Sequence, residues 1–229
     1  MAILEDPKTF KDIQTEYNHL FTRDRVRDDD CGYVWHARCL LKYAPKIRSL
    51  LDNACGGGYF LRQFQALSPA TRLTGTDISN EAIRIAKKEC PAATYILSVG
   101  ESLSFQKASF DAITCLGSLE HFLDIKKAIG EMLQVIRPDG ILYILVPNLF
   151  WYKDILSVLF TGDKKDRNQT QERFASLGEW RRTLEEAGLQ IKAVEKYNGV
   201  AKYAFKQWLK DLLVPLKFSY HFVFICQKK

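Results

Sequence analysis

The chain has 229 residues, of which 47% are hydrophobic, and it carries a formal net charge of +6. This length and composition fit one globular domain with a substantial core and exclude a disordered chain. The basic residues are scattered and the apolar run at residues 141–146 is too short to cross a bilayer, so we expect neither a nucleic-acid partner nor a membrane span.

Helical and β-rich segments alternate along the chain. Residues 1–45 have a helical pattern, and nothing between residues 45 and 148 resembles a linker. In that stretch we predict, in chain order, a strand at 48–52, a helix at 59–67, a strand at 71–77, a helix at 80–90, strands at 93–97 and 110–116, a helix at 125–136, a turn at 137–140 and a strand at 141–147. This alternation indicates βαβ units and a parallel sheet.

The rest of the chain extends this sheet. Residues 149–175 start apolar and end polar, which predicts a helix and a loop inserted over the sheet. A helix at 178–188 and strands at 189–196 and 216–227 follow. The predicted fold class is α/β, a Rossmann-like, doubly wound, mostly parallel seven-stranded sheet with helices on both faces and a helical lid.

Neither the cysteines nor the N-terminal residues point to secretion. The six cysteines contain no C-x-x-C pair, and residues 1–10 have no apolar stretch that would serve as a signal peptide. We therefore predict a reduced, soluble, cytoplasmic protein without a metal site.

A glycine-rich turn, LDNACGGG at residues 51–58, joins the first predicted strand to the helix that follows it. Glycines there let the backbone approach a ligand, and the turn lies at the carboxyl ends of the strands, where open α/β sheets bind ligands. A dinucleotide fingerprint would place a third glycine where Leu61 stands, and a P-loop would continue with Gly-Lys-Ser/Thr. Bound NAD(P) is therefore disfavoured.

Four motifs in this order resemble those of the class I S-adenosylmethionine (SAM)-dependent methyltransferases, especially the small-molecule group of that family. They are the acid and glycine loop at 52–58, Asp77 ending the second strand, GESLSF at 100–105, and FDAITCLGSLEH at 110–121 with RPDG at 137–140. The resemblance covers residues 35–148 densely and 176–196 more loosely. The chain departs from the family pattern at Ala54, where glycine is usual, and at Val99, where aspartate is common.

The resemblance implies a SAM site along these loops. Asp77 would accept hydrogen bonds from both ribose hydroxyls, Ile78 would lie against adenine, and Glu101 would take part of the role of the missing aspartate. Arg38 would meet the methionine carboxylate or else face solvent. The implied SAM-binding residues are Asp52, Ala54, Gly56, Gly58, Asp77, Ile78, Val99, Gly100, Glu101, Leu116 and Arg38.

His121 is the predicted general base for the acceptor, because it follows the fourth predicted strand at the mouth of the site. The same histidine has a second interpretation, as a brace for the following helix. We expect the N-terminal segment and the insert after residue 148 to bind the acceptor. The predicted acceptor-binding residues are Tyr17, Tyr33, Trp35, Trp151, Tyr152 and Arg173.

The predicted activity is methyl transfer from SAM to an O or N atom of a small molecule in biosynthesis, by in-line displacement, with S-adenosylhomocysteine (SAH) as product. Motifs of base methylation are missing, since CLGS follows strand four in place of Asn/Asp-Pro-Pro-aromatic and Cys115 lacks a preceding proline. Two other classes stay open: an NAD(P)-dependent Rossmann oxidoreductase and a non-catalytic methyltransferase-like partner protein. The implied organisation is a single domain with an N-terminal helical lid (1–45), a SAM-binding core (46–148), a lid insert (149–175) and a C-terminal part of the sheet (176–229).

Overall fold

The computed structural model describes residues 9–23, 30–163, 173–200 and 204–229. In this part of the chain the helices are α1 (Phe10–Arg23), α2 (Asp30–Tyr43), α3 (Tyr59–Leu67), α4 (Asn80–Glu89), α5 (Ile125–Val135), α6 (Tyr152–Thr161), α7 (Leu177–Glu186) and α8 (Ala204–Leu213). The strands are β1 (Ser49–Asn53), β2 (Arg72–Asp77), β3 (Thr94–Leu97), β4 (Phe110–Leu116), β5 (Ile136–Pro147), β6 (Leu189–Tyr197) and β7 (His221–Lys228). Short 3-10 turns occupy Leu119–His121 and Leu216–Phe218.

The seven strands form one sheet in the order β3-β2-β1-β4-β5-β7-β6. Strands β1 to β5 are parallel, and β7 lies antiparallel between β5 and β6, so that β6 runs in the same direction as β5. The predicted fold class, a doubly wound and mostly parallel seven-stranded sheet, is confirmed. The strand order reverses between β1 and β4, which places a ligand crevice at the carboxyl ends of these strands.

The central residues of β5 show how both faces of the sheet are covered. Leu142 and Ile144 pack in a core with residues of α5 and α7, whereas Tyr143 and Leu145 pack in a core with residues of α2, α3 and α4. Successive side chains of a strand point to opposite faces, so a strand covered on both sides needs a continuous apolar run. The apolar run at residues 141–146 is therefore a central strand.

Most predicted boundaries lie within two residues of the observed ones, and three elements differ. The predicted turn at 137–140 belongs to β5, because Ile136 pairs with Phe110 ahead of a register shift in the β4–β5 ladder. The last strand begins only at His221, since the residues after Pro215 form a 3-10 turn. Helix α8 was not predicted, although its apolar residues have helical spacing.

The N-terminal segment predicted as a lid divides into two parts with different roles. Helix α2 packs against α3 and places Ala37 and Leu40 in the core. Only α1 lies over the carboxyl edge of the sheet, where it contacts α4. None of the described helices is long and apolar enough to cross a membrane.

Gly58 is held by close packing inside the protein. Its φ is +75°, and a Cβ there would lie 2.9 Å from both the Ala86 Cβ and the Tyr95 hydroxyl. We expect Gly58→Ala to lower the free energy of unfolding by roughly 2–4 kcal/mol, from backbone strain and overpacking together. Gly162 is the matched control, because its φ is +79° and a Cβ there would meet nothing within 4 Å.

Gly162→Ala adds the strain alone and should cost roughly 1–2 kcal/mol. Urea unfolding of both variants measures the difference. Equal losses for the two variants would show that the approach of α4 and β3 to Gly58 is not a constraint.

Candidate active site

A cavity of about 510 Å³ lies at the carboxyl ends of β1 to β4, beneath α1. Its wall is built by the turns that follow these four strands, at residues 54–57, 77–78, 98–101 and 116–123. Helix α1 closes the cavity with Phe10, Ile13, Glu16, Tyr17, Leu20, Phe21 and Arg23. The volume is within the range of small-molecule and cofactor sites.

Asp77 ends β2 and ties the glycine loop to the next helix. One carboxylate oxygen accepts a hydrogen bond from the Gly56 amide at 2.8 Å, and the other accepts one from the Ser79 amide at 2.9 Å. Ser79 in turn caps α4 by accepting from the Ala82 amide at 3.1 Å. The side chain of Asp77 is buried but lines the cavity. Its carboxylate therefore keeps acceptor capacity for hydrogen bonds from a group bound in the cavity.

Asp52 is the last residue but one of the neighbouring strand β1, and it is the second carboxyl group of the cavity. It accepts a hydrogen bond from the Thr114 hydroxyl at 2.6 Å. The pKa of Asp52 is raised to about 7. Burial is the largest cause, the Thr114 hydrogen bond acts in the lowering direction, and the charge of Asp77 adds to the rise. Burial likewise raises the pKa of Asp77 to about 6, against the lowering effect of its amide donors. Two desolvated carboxyl groups in one cavity favour a cationic ligand.

The segment after β3 packs closely on the residues that precede α5. Glu101 is buried and accepts a hydrogen bond from the Leu123 amide at 2.8 Å. Gly100 lies against the ring of Phe122, and a Cβ there would overlap that ring. Glu101 therefore braces the loop after β4 while it also lines the cavity, and Gly100 is required by packing.

His121 lies in the 3-10 turn after β4 and lines the cavity. Its ring meets the ring of Tyr17 edge-on, with centroids 6.4 Å apart. Its Nε2 lies 3.9 Å from a carboxylate oxygen of the buried Glu120. The imidazole therefore lies between α1 and the end of β4, at the wall of the cavity.

Helix α1 is anchored by two polar side chains that the sequence interpretation missed. Gln14 donates a hydrogen bond to the Ile78 carbonyl at 2.8 Å, and Asn18 accepts one from the Ser79 hydroxyl at 2.7 Å. The apolar face of α1 could have been found from the sequence, because Phe10, Ile13 and Tyr17 recur at helical spacing and share one face. This amphipathic pattern identifies α1 as the cover of the cavity.

Most of the residues predicted from the sequence are brought together in this cavity. Those that line it are Asp52, Ala54, Gly56, Asp77, Ile78, Val99, Gly100, Glu101 and Leu116 of the cofactor set, Tyr17 and Tyr33 of the acceptor set, and His121. Gly58 is not among the lining residues, because it packs against α4 instead. Arg38 is not among them either, because its side chain is exposed on α2.

Four predicted acceptor residues also lie outside the cavity. Trp35 packs against Tyr197, with ring centroids 5.0 Å apart, so it belongs to the junction of α2 and β6. Trp151 packs against Tyr220 at 4.5 Å, and Tyr152 follows it at the start of α6.

The fourth of these residues, Arg173, donates to the backbone carbonyl of Leu123 from outside the cavity wall. No described residue of the insert at 149–175 lines the cavity, so the described part of the insert does not act as its lid.

Comparisons with known proteins agree with this geometry. The model of a methyltransferase domain matches residues 51–144. This match, together with the relatives and the solved structure described below, supports a class I methyltransferase family. The match spans the strands and turns from β1 to β5, which are the elements that build the cavity floor.

The sequence identity to individual relatives is low. The chain is 28% identical to an uncharacterised methyltransferase of Bacillus subtilis, over 70% of this chain and 64% of that one. It is 32% identical to a demethylmenaquinone methyltransferase of Thermotoga maritima, over 62% of each chain. The chain thus spans less than two thirds of these relatives.

A solved structure shares the fold. It is the 1,6-didemethyltoxoflavin-N1-methyltransferase of Burkholderia thailandensis, with bound 1,6-didemethyltoxoflavin and SAH. The TM-score is 0.70 at 17% sequence identity, and the alignment covers 100% of this chain and 93% of that chain.

Proposed function

We propose that this protein transfers the methyl group of SAM to an O or N atom of a small-molecule acceptor. The observation that carries the proposal is the pair of buried carboxyl groups, Asp52 and Asp77, facing one cavity beside a glycine loop. SAM bears a sulfonium and an ammonium group, and its ribose presents two hydroxyl donors. A cavity with two carboxyl groups fits such a ligand.

The Gly56 amide and the Asp52 carboxylate argue against a dinucleotide. A pyrophosphate needs backbone amide donors at the turn after β1, but the Gly56 amide already donates to Asp77. The Asp52 carboxylate directly before that turn would also repel the phosphate charges. The oxidoreductase alternative is therefore disfavoured by the charge of the site as well as by Leu61.

SAM supplies a methyl group on a sulfonium, which an acceptor atom displaces in line. The protein positions and encloses the reactants. The lid helix α1, anchored by Gln14 and Asn18, excludes water from the cavity. His121 accepts the proton of an O–H or N–H acceptor, and Tyr17 holds the imidazole edge-on.

The acceptor side of the cavity is largely apolar. The apolar lining residues include Phe10, Ile13 and Leu20 of α1 and Phe122 and Leu123 of the turn after β4. Together with Tyr17 and Tyr33, this lining suits a small apolar or aromatic acceptor. It does not suit a base flipped out of a nucleic acid, whose backbone phosphates need positive charge nearby. The Thermotoga relative, named for demethylmenaquinone, supports the inclusion of quinone-like compounds among the candidates.

The test is methyl transfer itself. Purified protein is incubated with methyl-labelled SAM and a panel of phenols, amines and quinone-like compounds, with tRNA and DNA as comparison substrates. We expect acceptor-dependent release of SAH with a member of the small-molecule panel. Methylation of nucleic acid alone would overturn the acceptor class, and SAH binding without turnover of any substrate would favour the non-catalytic partner.

The affinity for SAM should depend on pH. The pKa values of about 7 for Asp52 and about 6 for Asp77 lie above the ordinary value of 3.8, so the empty cavity binds protons in mildly acidic solution. A cationic ligand favours the ionised carboxylates, so binding releases protons and becomes tighter as the pH rises. We expect SAM to bind at least ~10-fold more weakly at about pH 5 than at about pH 7.5.

Calorimetry across this pH range, in buffers of different ionisation enthalpy, measures both the affinity and the proton release. Asp77→Asn removes one titrating group and should flatten the profile. A dissociation constant that does not change with pH would contradict a cationic ligand beside these carboxyl groups.

A further inference from the structure

Two helices on the cavity edge of the sheet expose large apolar side chains. On α6, Phe160 is 83% exposed and Leu159 is 72% exposed, and on α8, Leu213 is 65% exposed. We define the α6/α8 surface as Leu156, Leu159, Phe160, Trp208, Leu212 and Leu213, all of which are exposed. Single exposed apolar side chains are ordinary, but a cluster of this size marks an interaction surface.

The topology places both helices at the same edge. Helix α6 follows the carboxyl end of β5, and α8 lies between the carboxyl end of β6 and the start of β7. Pro147, Tyr197 and His221, at these three strand ends, are in register in the sheet. The carboxyl edge also carries the cavity, so the α6/α8 surface and the proposed active site share one side of the molecule.

Among the described residues, the charged side chains around this surface are mostly lysines, and the acidic ones that are not buried are Asp163 after α6 and Asp211 on α8. Lys153 and Lys217 are exposed on α6 and in the turn before β7. Lys210 of α8 donates to the Asn198 carbonyl at 2.8 Å. Burial and then the charge of Lys153 lower the pKa of Lys210, so the two helices approach each other with like charges. The whole chain carries a formal net charge of +6.

These charges decide between the possible occupants of the surface. In a two-fold dimer built on this patch, both copies would bring the same basic rim to the interface. An anionic bilayer instead attracts the lysines, while aromatic and aliphatic side chains enter the boundary between headgroups and acyl chains. Trp208 is of the residue type that favours this boundary.

We propose that the α6/α8 surface docks the protein on an anionic lipid bilayer, with the cavity edge toward the membrane. The docking is peripheral, through two amphipathic helices that lie along the interface. It does not depend on methyl transfer, so it is tested without SAM or an acceptor.

The first test is flotation of the full chain with vesicles of phosphatidylcholine, with and without phosphatidylglycerol. We expect binding that requires phosphatidylglycerol and falls with added salt. Leu159→Ser with Phe160→Ser should lower the partition coefficient at least ~10-fold, because two apolar side chains no longer enter the bilayer. Leu67→Ser is the matched control, since Leu67 is an exposed apolar residue at the far end of α3, and it should leave binding unchanged.

Removal of single lysine charges gives a second test of vesicle binding. Lys153→Gln and Lys217→Gln should each weaken binding to anionic vesicles about 5-fold. Lys88→Gln, at an exposed position on α4, should not. Vesicle binding should also shift the tryptophan emission to shorter wavelength, and this shift should disappear in Trp208→Phe, which keeps the apolar ring.

Two results would overturn the proposal. One is the absence of binding to anionic vesicles above that of the Leu159→Ser/Phe160→Ser variant. The other is a concentration-dependent dimer in light scattering that this double variant abolishes, because the surface would then bind a second copy of the chain. Methyl transfer in solution would stand in either case.

Discussion

Asp77→Ala is expected to weaken the binding of SAH at least ~100-fold. Its carboxylate would accept two hydrogen bonds from the ribose hydroxyls, and each charge-assisted bond contributes about 1.5–3 kcal/mol. The variant also loses the bonds from the Gly56 and Ser79 amides, so the glycine loop is no longer tied to the start of α4. Both losses act in the same direction, and isothermal calorimetry measures their sum.

Asp111→Ala separates affinity from stability. Asp111 also accepts two backbone amides, from Arg48 and Ser49 at 2.9 Å each, but it lies at the amino ends of the strands. This variant should lose stability and keep the affinity for SAH. If Asp77→Ala binds SAH as tightly as the unaltered protein, Asp77 is not the ribose ligand.

His121→Ala is expected to lower kcat by ~10²–10⁴-fold while the affinity for SAH changes little. The imidazole lines the cavity beside Tyr17 in the turn after β4, whereas most of the proposed cofactor residues lie along the turns after β1 to β3. At saturating SAM, kcat should rise with pH in the unaltered protein, as a general base requires, and this rise should vanish in the variant. His19→Ala is the control, because His19 is exposed on the same lid helix and should keep both rate and profile.

The other interpretation of His121, as a brace, makes a different prediction. The 3-10 turn that carries it precedes α5, so loss of a brace would lower the free energy of unfolding with a modest change in kcat. A stable His121→Ala variant with unaltered kcat would remove both roles. Tyr17 would then be the next candidate for the base.

The sequence predicts the sheet well, and most of the residues it assigns to the cofactor line one cavity, because their signals are local. A strand buried on both faces must be apolar throughout, as the run at 141–146 is, and its position in the sheet follows from the βαβ alternation. Asp77 stands out because it ends a strand after a glycine turn, at the edge where open α/β sheets bind ligands. The structure places it in the cavity with Asp52.

The acceptor side is less predictable because it depends on which face of a helix meets the sheet. Tyr33 and Trp35 are two residues apart on α2, so they point in different directions, and only Tyr33 reaches the cavity. Gly58 was assigned to the ligand, yet its neighbours are Ala86 and Tyr95, which are remote in sequence. Contacts of this kind leave no trace in a local pattern.

The cavity is proposed to bind SAM rather than a dinucleotide. Calorimetric titration of the purified chain with SAM and, separately, with NAD tests it most directly. We predict one-to-one binding of SAM, with proton release in mildly acidic buffer, and no heat of binding with NAD. Saturable binding of NAD together with no binding of SAM would contradict the account.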